Sequence, residues 1–483
     1  MRPLLDEYGW CYTRGYSTDL VRHSSCLASP ERIWKPVKGT PGTGAPSVAK
    51  NLASSEFRIE RVLSREVLDS RGNPTVQVDL YTRSGFGRFS VPSGASKGHL
   101  EALELRDGDR QRYAGLGVQK AVENVNKILG PKILAMDARE QARIDRILIE
   151  LDGTENKGRL GANAILGISI ALARASADTA KSPMYRTLAD ERKPSLPLPL
   201  MNIINGGKHA GNDLSFQEFM VIPAGFKTFK EALRCTAEIY HALRLRLEAK
   251  YGKSAINVGD EGGFAPPIGN VEEALGQVND AVEEAGYSPG QNVILGIDAA
   301  ADSFYTQGSG NYTVDGKVID SEELLELYVS LQEKFPLKSI EDPFHDEDFD
   351  KFSRITKKLG AKVQIVGDDL FVTNIKRVAQ GIRVKAANAL LVKINQIGTL
   401  TETIDAVERA RKANYGLVLS HRSGETEDNS IADISVALAT GQIKAGAPAR
   451  GERTSKYNRL LLIEEELGSS ARFYGPEFLK SHN

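Results

Sequence analysis

The stretch Asn388-Ala-Leu-Leu-Val-Lys-Ile-Asn-Gln-Ile-Gly398 decides how the rest of the chain is read. Its front half, Ala389 to Val392, is wholly apolar, as expected of a parallel strand covered on both faces. The run stops on Lys393. A lysine at the end of a buried strand is costly unless it is used, because burial disfavours its charged form. Desolvation and nearby cations lower such an amine's pKa and make it a usable base near neutral pH. The bland alternative is a lysine whose stem leaves the strand and carries its charge to solvent. The stretch alone does not choose between the two.

Around it the same grammar repeats. From about Leu198 onward, short apolar runs alternate with amphipathic helical segments, the pattern of βα units. Candidate strands end at Asn205, Val221, Val258, Ile297, Ile340, Val366, Val392 and Leu419, which predicts a closed α/β barrel. Gly206 to Gln217 leaves no room for a helix, so a hairpin is expected between the first two strands. Upstream, Arg58–Val62 and Thr75–Tyr81 alternate as antiparallel strands with Asp69–Pro74 as their turn. Helical spacing follows over 118–128, 138–151 and 161–174. Pro194, Pro197 and Pro199 mark a junction, giving a small α+β domain over 55–193 and a barrel domain over 194–483. Residues 1–54 lack periodicity and contain a Gly/Pro-rich linker, so they read as a poorly ordered extension. The alternatives for them are a targeting segment, which would make the protein organellar instead of cytoplasmic, and an over-extended start assignment.

Composition narrows the function. The 483 residues are 41% hydrophobic and 26% charged with a formal net charge of −1, an ordinary globular profile. Lys+Arg 62 against Asp+Glu 63 gives no basic bias, so nucleic acid is not an expected partner. No apolar run is long enough to span a bilayer. Three cysteines, Cys11, Cys26 and Cys235, without a Cys-x-x-Cys pair, argue against a disulfide framework or a zinc site.

In a barrel, the residues that end the strands face one mouth. Three successive strands end in Asp298, Glu341 and Asp368. Three anionic oxygen donors suit a hard octahedral ion, Mg²⁺ above all. One strand-end Asp is commonly a helix N-cap, but three on neighbouring strands would repel one another without a cation. Across the mouth lie Glu218 and the Asp260–Glu261 pair, where a carboxyl acts as an acid or as a salt-bridge partner of Lys208 or Lys444. His421, Arg422 and Ser423 offer guanidinium, hydroxyl and backbone N–H groups to a phosphate. His209 sits in a Gly-rich loop at the same mouth and is either structural or functional. The loop Pro92–Gly98 is either a lid or an ordinary connection. A lysine base, a carboxyl acid, Mg²⁺ and a phosphate grip suit removal of a proton alpha to a carboxylate and loss of a beta hydroxyl.

With these residues in place, the chain resembles the enolase family from about Phe57 to the C-terminal region. The resemblance is carried by Asp69-Ser-Arg-Gly-Asn-Pro-Thr75, Gln217-Glu-Phe-Met220, Gly259-Asp-Glu-Gly-Gly-Phe-Ala-Pro266, Ser339-Ile-Glu-Asp-Pro-Phe344, Ser420-His-Arg-Ser-Gly-Glu-Thr-Glu-Asp428 and Gly441-Gln-Ile-Lys-Ala-Gly-Ala-Pro448. A Lys or His base with one or two Mg²⁺ is the known arrangement of that superfamily, not a result of this spacing. The resemblance implies a barrel of ββαα(βα)6 topology and reversible dehydration of 2-phospho-D-glycerate to phosphoenolpyruvate. It implies Lys393 as proton acceptor and Glu261 as donor, supported by Glu218. It also implies Asp298, Glu341 and Asp368 on a first Mg²⁺, and Ser96 on a second that binds with substrate. His209, Gln217, Glu218, Lys393, His421, Arg422, Ser423 and Lys444 would contact substrate. A homodimer, or a larger ring, would be the assembly, in the cytoplasm, with secondary cell-surface presence open. Two departures stand out: Lys97 where the family has threonine, and His99 one place ahead of the family's histidine. Two other classes compete. One is another acid-sugar dehydratase or racemase, whose Lys-x-Lys or His-Asp motifs are absent. The other is a non-catalytic protein on the same scaffold, which the intact Lys393 and carboxylates disfavour.

Overall fold

Alternating burial turns the first apolar runs into a sheet. The structure, a computed structural model, describes residues 55–94, 100–189 and 192–482. The expected extension 1–54 and the loop residues Ser96, Lys97 and His99 lie outside the described residues. Strands β1 (Ile59–Leu68), β2 (Pro74–Thr82) and β3 (Phe86–Ser90) pair antiparallel in that order. Asp69 builds the first turn: its Oδ1 accepts the N–H groups of Arg71 and Asn73, both at 2.9 Å. The helical spacing over 118–128 becomes a short helix, Gln119–Asn124, that runs on through a π turn at Val125–Leu129. Helices α1 (Gln141–Asp152) and α2 (Ala162–Thr179) follow. Small residues dominate α2 because it is buried on nearly all sides and lies directly on the sheet. A Cβ at Gly87 of β3 would come within 2.0 Å of the Ala171 carbonyl oxygen, so only glycine allows this approach.

The barrel opens with β4 (Leu198–Asn205) and β5 (Glu218–Ile222), joined by the expected hairpin. Two helices, α3 (Phe229–Tyr251) and α4 (Val271–Glu284), come next. Six strand–helix units complete it: β6 (Ile294–Asp298) and α5 (Ser321–Lys334); β7 (Leu337–Glu341) and α6 (Phe349–Leu359); β8 (Gln364–Gly367) and α7 (Ile375–Val384); β9 (Ala389–Val392) and α8 (Leu400–Arg411); β10 (Gly416–Ser420) and α9 (Ser430–Ala437); β11 (Gly441–Lys444) and α10 (Gly451–Leu467). The ring closes in the order β7-β8-β9-β10-β11-β4-β5-β6. Strand β5 is antiparallel to both neighbours, and the other pairs are parallel. The architecture is therefore the expected ββαα(βα)6 barrel behind a small sheet.

One strand assignment is corrected. Val258 does not end a barrel strand: it is 43% exposed and makes only an isolated bridge to Phe264. The eighth strand is β11, which was read as a motif and not as a strand. Only Ile443 in Gly-Gln-Ile-Lys is a large apolar residue, so β11 has no apolar run to betray it. Among the described residues no helix is long and apolar enough to cross a membrane.

Candidate active site

Sheet register brings the charged strand ends to one mouth. Glu341 pairs with Asp298 and with Val366, two residues before Asp368. Glu218 pairs with Asp298 on the other side, and Lys444 with Ser420. One cavity is lined by His209, Gln217, Glu218, Glu261, Asp298, Asp368, Lys393, His421, Arg422, Ser423 and Lys444. Of the remaining predicted residues, Glu341 reaches this group through Lys444, and Ser96 lies outside the described residues.

Two ammonium groups divide the carboxylates between them. Lys444 Nζ lies 2.9 Å from both oxygens of Glu341, 3.2 Å from Asp298 Oδ2 and 3.1 Å from Glu218 Oε2. Burial pulls its pKa down, but Asp298, Glu218 and Glu341 outweigh that and hold it well above the ordinary value. Lys393 Nζ donates to Asp368 Oδ2. Burial lowers the Lys393 pKa, yet the Asp368 charge outweighs it and the net shift is upward. This is opposite to the direction expected from the sequence, because the Asp368 carboxylate outweighs both burial and the nearby Arg422 cation. Asp368 Oδ1 is held separately by Gln396 Nε2 at 2.9 Å. Asp298, Glu341 and Asp368 are thus split between two lysines. Among the described residues the tighter ligand-atom groups, within 4.8 Å, are His209–Glu218–Glu261, Asp302–His345–Asp346 and Asp342–Asp368–Asp369.

The donor chemistry of the trio fits a hard divalent cation. All three carboxylates are buried on neighbouring strand ends, and the positive charges that touch them directly are the ammonium groups of Lys393 and Lys444. Burial and then Asp298 push the Glu341 pKa well above its ordinary range, a sign of crowded negative charge. Asp342 shapes the turn beneath. At φ 41° its carboxylate accepts the N–H groups of Asp368 at 2.9 Å and Asp369 at 2.8 Å.

On the opposite wall, Glu261 accepts from Asn202 Nδ2 at 3.0 Å. His209 Nδ1 lies 3.5 Å from Glu261 Oε1 and 3.7 Å from Glu218 Oε1. Burial, then the charge on Glu261, raises Glu218 well above the carboxylate range. Burial would raise Glu261 too, but His209, His421, Arg453 and Lys444 draw it well below. Of the pair, Glu218 therefore binds a proton the more tightly. Burial lowers the His209 and His421 pKa values, with the charge of Glu261 opposing it in both. Arg453 Nη1, which can only donate, lies 2.7 Å from His421 Nδ1. The ring proton of His421 is thus on Nε2, 3.5 Å from Glu261 Oε1.

Sequence reasoning missed several of these partners. Asn202 was visible as a polar residue inside an apolar strand. Arg453 is 0% exposed and donates to the carbonyls of Asp260, Arg422 and Ser423. It sits on α10 with nothing in the sequence to separate it from a surface arginine. Glu101 pairs with Arg422 at 3.0 Å across the two halves of the fold, a contact only tertiary structure creates.

Fold and site together define an α/β-barrel protein whose mouth gathers buried carboxylates, lysines and histidines around one cavity. The chain matches the family models "Enolase, C-terminal TIM barrel domain" over 193–482 and "Enolase, N-terminal domain" over 59–188. It is 57% identical over 424 residues to the enolase of Pyrococcus furiosus, covering 88% of this chain and 98% of that one. Against the enolases of Thermococcus gammatolerans and Methanocaldococcus jannaschii the identity is again 57%, with 87% of this chain and 98% of each relative covered. The chain belongs to the enolase family and is a lyase, a phosphopyruvate hydratase.

Proposed function

We propose that Lys393 is the base, and Glu261 with Glu218 the acid, of the family reaction. That reaction is the dehydration of 2-phospho-D-glycerate to phosphoenolpyruvate in glycolysis, and this chain catalyses it. The assignment of roles is carried by one observation: Lys393 and Glu261 line the same small cavity from different walls, with Arg422 and Ser423 beside them. Lys393 Nζ accepts the proton from the carbon alpha to the carboxylate. The Glu218–Glu261 pair supplies the proton with which the beta hydroxyl leaves as water. Arg422 and Ser423 grip the phosphate, and His209, Gln217, His421 and Lys444 complete the substrate contacts. Asp298, Glu341 and Asp368 would hold Mg²⁺, and Ser96 a second ion together with substrate. Bound there, Mg²⁺ supplies positive charge that stabilises the anion developing on the substrate and relieves the Asp368 charge that keeps Lys393 protonated.

The same reading gives an N-terminal α+β domain over 55–193 and a catalytic barrel over 194–483, which the two family-model spans support. It also gives reversal of the reaction in gluconeogenesis, a homodimer or larger ring, and a cytoplasmic location. The test is absorbance at the enol-ester band with 2-phosphoglycerate and Mg²⁺, with and without chelator. Product that is metal-dependent is expected. Its absence with Mg²⁺ present overturns the proposal.

A further inference from the structure

The turn after β8 is built against backbone preference. Val372 and Thr373 take φ values of 41° and 53°, a left-handed region that β-branched residues rarely enter. Such conformations persist where the surroundings over-determine them, and they cluster where a functional group must be aimed. Here they aim one hydroxyl. Thr373 Oγ1 accepts the Lys393 backbone N–H at 2.9 Å and donates to Gln396 Oε1 at 2.8 Å. Gln396 Nε2 then donates to Asp368 Oδ1 at 2.9 Å, and the Val372 N–H closes the turn on the Asp368 carbonyl at 2.8 Å. The amide orientation is fixed by its neighbours, with its oxygen toward a hydroxyl and its nitrogen toward carboxylates. Thr373 and Gln396 are 0% and 1% exposed, so water cannot replace either partner.

Gln396 also meets the segment that follows the Gly-rich loop. Its backbone carbonyl accepts the Ala102 N–H at 2.8 Å, and its side-chain Nε2 lies 3.5 Å from Glu101 Oε1, which pairs with Arg422. One buried residue therefore meets the Asp368 carboxylate, the Lys393 segment and the segment that follows the Gly-rich loop.

We infer that Thr373 and Gln396 are positioning residues: a hydroxyl–amide strap that fixes the Lys393 backbone and the Asp368 carboxylate relative to each other. The inference rests on Lys393 as base and Asp368 as metal ligand. Neither strap residue lines the cavity at the mouth. The lysine stem is long and flexible, so the position of its amine depends on how firmly its backbone is anchored. The carboxylate has one oxygen toward Lys393 and needs its other oxygen held if it is to keep one orientation.

Three variants of the full chain test this. Thr373→Val removes the hydroxyl at nearly constant shape, Thr373→Ser keeps it, and Gln396→Met removes the amide. At saturating Mg²⁺, Thr373→Val and Gln396→Met are expected to lower kcat by about 10–100-fold, the range for losing a partner that orients a metal ligand. KM for 2-phosphoglycerate should stay within about threefold, because the strap does not line the cavity at the mouth. Thr373→Ser should keep kcat within about threefold of the parent, and Gln396→Met should raise the Mg²⁺ concentration for half-activity by about tenfold or more. A folded Thr373→Val with the kcat of Thr373→Ser overturns the inference. If Thr373→Val does not fold, Gln396→Met decides, and an unchanged kcat there overturns it. Lys393→Ala, read by exchange of the substrate's alpha proton, separates the two levels. Continued exchange refutes the choice of base and the strap with it, whereas loss of exchange beside an unimpaired Thr373→Val refutes the strap alone.

Discussion

Replacing Lys444 with methionine keeps the stem volume and removes the charge that three buried carboxylates share. The amine is 2% exposed and lies 2.9 to 3.2 Å from oxygens of Glu341, Glu218 and Asp298. Removing one partner of a buried ion pair costs about 3–5 kcal/mol, because the charge left behind is uncompensated. A chain of 483 residues has an unfolding entropy on the order of 1 kcal/mol/K, so Lys444→Met should melt about 3–5 °C lower at pH 7 in chelator.

The deficit must depend on pH in a definite direction. Glu218 and Glu341 already sit well above their ordinary value of 4.5, Glu218 through burial and Glu261, Glu341 through burial and Asp298. Without Lys444 they rise further and take up protons instead of standing charged. A carboxyl whose folded pKa exceeds its unfolded value binds more protons in the folded state. Its stability is fully present below about 4.5 and is lost as pH climbs toward the folded value, at about 1.4 kcal/mol per pH unit per proton. Lys444→Met should therefore lose about 1–3 °C more than the parent between pH 7 and pH 8. Saturating Mg²⁺ should restore more stability to the variant than to the parent, since the ammonium no longer competes for the carboxylates. Melts followed by circular dichroism at one scan rate measure all three effects. A metal-free melting point within about 1 °C of the parent and flat with pH would refute the reasoning.

Other perturbations probe other links. Glu261→Gln and Glu218→Gln should each cut turnover to phosphoenolpyruvate by about 10²–10⁴-fold while exchange of the alpha proton into D₂O persists, since Lys393 runs that step; parallel loss of exchange would contradict separate acid and base walls. Asp79 of β2 is held down to about 2 from 3.8: burial opposes, but Arg88 and Arg65 prevail. Its contribution is present above about pH 3.8 and fades toward pH 2, worth about 1 kcal/mol once the half-exposed arginines are discounted, so Asp79→Asn should flatten the fall in urea midpoint between pH 5 and pH 3. Gly87→Ala should cost about 1–3 kcal/mol by overpacking β3 on α2, lowering the melting point with kcat and KM unchanged.

What the sequence discloses follows from where each side chain's role is decided. Asp298 is legible because it ends the run Ile-Leu-Gly-Ile, and Glu341 because it follows Ile340 and precedes Asp342-Pro343, where a strand stops; a strand end fixes which mouth a residue faces. Asp368 follows its strand after one glycine and is legible for the same reason. The hairpin between β4 and β5 is legible because 206–217 is too short for a helix. Val258 misleads: a hydrophobic residue before Gly259 looks like a strand end, but the segment turns back onto Phe264 after one bridge. β11 is hidden for the opposite reason, since glutamine and lysine occupy two of its four positions and both side chains are used inside. Gln442 hydrogen-bonds Gln364 across the barrel at 2.7 Å, and Lys444 serves the mouth. Arg453, Gln396 and Thr373 stay hidden because their partners come from distant segments.

The direction of the Lys393 shift was hidden for a deeper reason. Burial and neighbouring charge act oppositely on an amine, and only coordinates show which neighbour is nearest. Asp368 is nearest to Lys393, while Glu341 and Asp298 belong to Lys444. Asp298, Glu341 and Asp368 would hold a cation only in competition with these two lysines. Under the proposed roles, such competition would weaken the hold of Asp368 on Lys393 and of Glu341 and Asp298 on Lys444, and would so couple cation binding to the freedom of both amines. The strand tips impose this coupling. They are set by barrel register, so the carboxylates cannot separate to satisfy the two lysines and the ion at once.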